Sequence, residues 1–190
     1  MNFKKLLLSV TLLVLASAAS SQTYNIEPGH TYPSFEADHM GISFWRGKFT
    51  KTSGKVVLDR GSKTGGSMDI VIDASTIDFG HQKMNEHARG KDMFNIEKFP
   101  TVTYKSSALK FEGDKLVAVE GEMTMLGVTK PMSLKVNQFK CIMHPMLKRE
   151  VCGADASASF DRSDYGLNYA LPRFSPEVKL AIQVEAIKAD

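Results

Sequence analysis

The chain of 190 residues lacks several things, and each absence removes a class of function. Its two cysteines can form one bridge at most. Lysines and arginines are scattered among acids, the net charge is only +3, and no basic footprint for nucleic acid is present. Neither Gly-x-Ser-x-Gly nor His-Glu-x-x-His spacing occurs, so the common hydrolase and zinc-protease arrangements are missing. There is no internal repeat, long linker or second block of composition, which implies one mature domain. The single apolar run, residues 6–16, is too short to span a bilayer.

What is present begins with that run. Lys4 and Lys5 precede it and Ala16-Ser17-Ala18 follow, the pattern of a secretory signal peptide over residues 1–21. No cysteine follows the cleavage site to carry a lipid, so no stable membrane anchor is expected. The mature chain, 22–190, is then exported, most simply to a periplasm. An oxidising compartment favours a bridge between Cys141 and Cys152, which lie opposite each other in a hairpin centred on residues 146–147.

The mature sequence alternates apolar and polar residues in short runs. Phe35, Ala37 and His39 share one face, as do Met68, Ile70 and Ile72, and the run Val178, Leu180, Ile182, Val184 and Ala186 is the cleanest. About eight strands joined mostly by short turns predict an all-β antiparallel meander, closed as a barrel or stacked as a sandwich. Alternation stops within residues 81–104. There Met84, His87 and Ala88 fall on one face of a short helix, which Gly90 is expected to end in a left-handed conformation. A second turn carries Met93 and Phe94. One helical insert, at about residues 81–95, in a β chain has to bury its apolar face, and the end of a barrel offers the place.

Longer motifs point further. The stretch from His30 to Gly54 (HTYPSFEADHMGISFWRGKFTKTSG), the segment HARGKDMF with Phe99-Pro100 and VTYKS, the run GEMTMLGVTKP from Gly121, and Arg162-Ser163-Asp164-Tyr165-Gly166 together resemble the YceI-like family across the mature chain. That resemblance implies an eight-stranded, lipocalin-like β-barrel that is periplasmic and non-catalytic. It further implies a long apolar ligand: a polyisoprenoid, a prenylated quinone or a fatty amide. No separate cofactor is implied.

On this reading Phe35, Phe44, Phe49, Met84, Met93, Phe94 and Met125 are expected to hold the apolar chain. His39, His87 and Arg89 are expected to face its pyrophosphate or quinone head. The pattern leaves a homodimer open. A second reading is a cupredoxin-like copper electron-transfer site on Cys141, His144 and Met146, residue types that suit blue copper.

Overall fold

The structure, a computed structural model, describes residues 21–190; the expected leader lies outside the described residues except for Ser21. Eleven β segments compose eight barrel strands. β1 (Gln22–Ile26) and β2 (Tyr32–His39) form one strand broken by a 3-10 turn at Pro28–His30, where proline has no N–H to give a ladder. β3 (Ser43–Phe49) with β4 (Thr52–Leu58), and β5 (Gly66–Asp73) with β6 (Ile77–Asp78), are likewise broken strands. β7 (Thr101–Glu112), β8 (Lys115–Met125), β9 (Val128–Met143), β10 (Glu150–Asp161) and β11 (Glu177–Lys188) run unbroken. Each strand pairs antiparallel with the next, and β11 returns to the first, with Lys188 opposite Tyr24 and Val178 opposite Ala37. The expected barrel is the fold.

Local chemistry sets the turns. Leu126 and Gly127 both take positive φ, 53° and 77°, as a two-residue hairpin loop requires. In β8, Gly121 leaves room on the inner wall. A Cβ there would sit 2.7 Å from the Tyr104 hydroxyl, which lies 3.1 Å from the carbonyls of both Val119 and Met132. Burial, then the charge of Glu120, pushes the Tyr104 phenol well above its ordinary pKa, so it stays a neutral donor.

Two apolar clusters fill the molecule. The larger occupies the barrel body, and at the end bearing the N-terminal strand Tyr24, Leu58, Leu109 and Leu116 close it. There the Tyr24 hydroxyl donates to Glu150. The smaller cluster, Phe49, Ala74, Ile77 and Ala88, lies at the opposite end and joins the wall to helix α1 (Gln82–Arg89).

α1 is the helical insert, and it is tied to the barrel rim. Asn85 donates to Asp78 at 2.9 Å and accepts from the Phe79 N–H at 2.7 Å, while Arg89 donates to the Ser75 carbonyl at 2.7 Å. Gly90 differs from expectation. Its φ is −68° with extended ψ, because the chain continues through further turns instead of reversing, and Asn95 takes the left-handed conformation instead.

The bridge joins Cys141 to Cys152, which are cross-strand partners. Replacing both with serine should lower unfolding free energy in urea by about 3 kcal/mol, the chain-entropy value for so short a loop, without changing the far-UV spectrum. Asp78 is held below its ordinary pKa by Asn85 first and the Gly80 N–H next. A depressed carboxylate adds stability above its unfolded pKa and loses it as pH falls through the folded one. Asn85→Ala, which removes both the bond to Asp78 and the one from the Phe79 N–H, should therefore speed hydrogen exchange in α1 severalfold, with β7–β11 unaffected. In the wild type the same loosening should begin only below the ordinary aspartate range of about pH 4.

Candidate ligand-binding cavity

Inside the barrel, between the filled end and α1, lies a cavity of about 440 Å³. Strand alternation decides what lines it. Met68, Ile70 and Ile72 of β5 and Val178, Leu180 and Ile182 of β11 point in, and their odd or even neighbours point out. Met123 and Met125 come from β8, and Met132 and Leu134 from β9. Thioethers suit such a wall because they adapt to irregular apolar shapes.

The polar groups gather mostly towards the α1 end. His39 stacks on Trp45 with ring centroids 4.9 Å apart and meets Phe174 at 5.2 Å. His87 of α1 packs edge-on against Tyr169 at 4.8 Å, which brings the helix to the loop of residues 166–176. Arg162 anchors that loop. Its Nη1 donates to the carbonyls of Leu167 (2.8 Å) and Tyr169 (2.9 Å), and its Nε to that of Ser175 (3.3 Å). Thr52, 1% exposed, also borders the cavity, and its hydroxyl has no partner among the described residues.

Eight of the ten expected contacts line this space: Phe35, His39, Phe49, Met84, His87, Met93, Phe94 and Met125. Phe44 and Arg89 do not. Phe44 points to the outer face, is 51% exposed, and carries the Lys179 ammonium 5.7 Å from its ring. Trp45, four residues before Phe49, is the inward residue, and period-two counting back from Phe49 would have found it. Arg89 turns to backbone carbonyls of Ser75 and Ile77, fixing α1 instead of facing a guest.

Sequence reading also missed Arg162, Tyr169 and Phe174. They sit on a 3-10 turn (Arg162–Tyr165) and the following loop, where no periodicity marks an inner face.

The copper reading does not survive the bridge. Cys141 has no free thiolate, His144 Nδ1 accepts the Leu147 N–H at 3.2 Å, and Met146 is 82% exposed. Cys141, Cys152 and Glu150 do bring ligand atoms within 4.8 Å of one another, but two of the three are the bridged sulfurs. The remaining carboxylate takes the hydrogen bond from Tyr24.

Comparison with known proteins agrees with this architecture. A UPF0312 protein of Photorhabdus laumondii is 32% identical over 190 residues, covering 97% of this chain and 98% of that protein. The crystal structure of a Campylobacter jejuni YceI protein superposes with a TM-score of 0.66 at 22% identity, covering 80% of this chain and 90% of that one. A polyisoprenoid-binding domain from Saccharophagus degradans superposes with a TM-score of 0.63 at 15% identity, covering 88% and 99%. The YceI-like domain matches residues 24–186, nearly all that the structure describes. With its closed eight-stranded wall and apolar interior, this chain belongs to the YceI-like domain family.

Proposed function

We propose that the protein is a periplasmic carrier that holds one long apolar lipid, a polyisoprenoid or a prenylated quinone, inside its barrel without altering it. The observation that carries this reading is the apolar cavity inside the barrel, whose size falls within the roughly 300–1,000 Å³ usual for small-molecule sites. The lipid-binding description of the Saccharophagus domain supports the same class of guest. The leader pattern at residues 1–21 supports the periplasm.

The physics favours such a receptor. An isoprenoid chain offers little but apolar surface, worth about 0.8 kcal/mol per buried methylene. Ordering a flexible chain offsets much of that gain, so a preformed cavity binds better than one assembled around the guest. Catalysis would ask for a base held by an orienting acid. His39 and His87 instead rest on aromatic rings, and neither is hydrogen-bonded to a carboxylate among the described residues.

Solvent extraction and mass spectrometry of protein purified from its own periplasm should yield a long-chain lipid in about one-to-one ratio. Recovery of none, with no binding of prenylated quinone, would count against the carrier. Tyr169→Ala removes the ring that joins the loop to α1. It should speed release of a bound prenylated quinone severalfold in stopped-flow transfer to vesicles, with the urea midpoint little changed; an unaltered rate would place the exit elsewhere.

A further inference from the structure

Among the described residues, one buried cation has no acid to answer it. Arg162 is 7% exposed and borders the apolar cavity. No carboxylate is ion-paired with it among the described residues, whose ion pairs involve other cations. Burial alone lowers its pKa from the ordinary guanidinium value. Three of its five N–H groups go to the backbone carbonyls of Leu167, Tyr169 and Ser175. The two on Nη2 have no partner among the described residues.

Holding a loop does not by itself explain a buried charge. Neutral amide donors could bond the same carbonyls without the desolvation cost of a cation. Arginine is the residue whose planar fork meets carboxylate and phosphate oxygens. The surroundings fit an anion as well. Among the charged or titratable groups bordering the cavity, His39 and His87 are potential donors, and the one acid is Asp38. Asp38 already accepts the N–H of Gly41 at 2.9 Å and that of Ser175 at 3.4 Å.

Building on the carrier reading, we propose that Arg162 is a specificity-determining residue that selects amphiphiles with an anionic oxygen head, phosphate or carboxylate, over neutral lipids with the same tail. The tail then occupies the methionine-lined interior, and the head lies at the α1 end, where Nη2 offers two donors.

The chain has one tryptophan, Trp45, and it borders the cavity, so its fluorescence reports binding. Delipidated wild-type protein should be titrated with geranylgeranyl monophosphate and geranylgeraniol, and with palmitate and hexadecanol, each pair sharing a tail. The anionic member of at least one pair should bind about tenfold tighter or more, as a charge-assisted hydrogen bond allows, and which pair does so tells phosphate from carboxylate. Arg162→Gln should bring that ratio close to one while leaving the neutral lipid within about twofold. Arg162→Lys, which keeps the charge, should retain part of the preference even if the loop loosens. Equal binding of anionic and neutral probes by the wild type would overturn the proposal. So would an Arg162→Gln variant that loses both equally, which would leave Arg162 only as the loop's anchor. Failure of all four probes to bind would instead remove the carrier reading on which the proposal rests.

Discussion

Closure between the first and last strands is the constraint on which this structure depends. An open meander of this length would leave two rows of unpaired backbone groups and no enclosed space. Joining Tyr24 to Lys188 and Ala37 to Val178 removes both edges at once. It also fixes the interior, because strand number sets the diameter of a barrel and eight strands leave a width that side chains can fill or one guest can occupy. Here the barrel is packed at one end and hollow towards the other. Tyr24, Leu58 and Leu109 fill the N-terminal end, whereas the methionine-lined half stays hollow.

Much of this was legible before any coordinates, for a physical reason. Period-two alternation is a property of the extended backbone, so a one-sided barrel wall writes its inner face directly into the chain. Met68, Ile70 and Ile72 and the β11 run were readable this way, and the cysteine pairing followed from hairpin symmetry. Aromatic content proved a poorer guide than phase. Phe44 is as apolar as Trp45 but one residue out of step, and that step is the difference between solvent and cavity.

Irregular segments hid the rest. Arg89 and Arg162 both sit in short, mostly polar stretches, and local pattern could not tell them apart. Only the fold shows that one reaches the Ser75 and Ile77 carbonyls while the other borders the cavity. Gly90 looked like a left-handed helix end, yet Phe94 bonds back to Ala88 and Asn95 to Gly90, which keeps the turn going until Asn95 reverses it. Such bonds depend on what the helix packs against, information that a window of sequence does not contain.

The division of the apolar residues into two clusters has a consequence for how such a protein diversifies. The barrel's integrity rests on the backbone pairing of the closing seam and on the packed N-terminal end. Around the other end, Phe35, Met84 and Met93 belong to a separate cluster with Phe49, Ile77 and Ala88. Substitutions there reshape the entrance while the seam keeps the container whole. Strength and cavity shape thus rest on different residues, and a lineage can alter one without first having to rebuild the other.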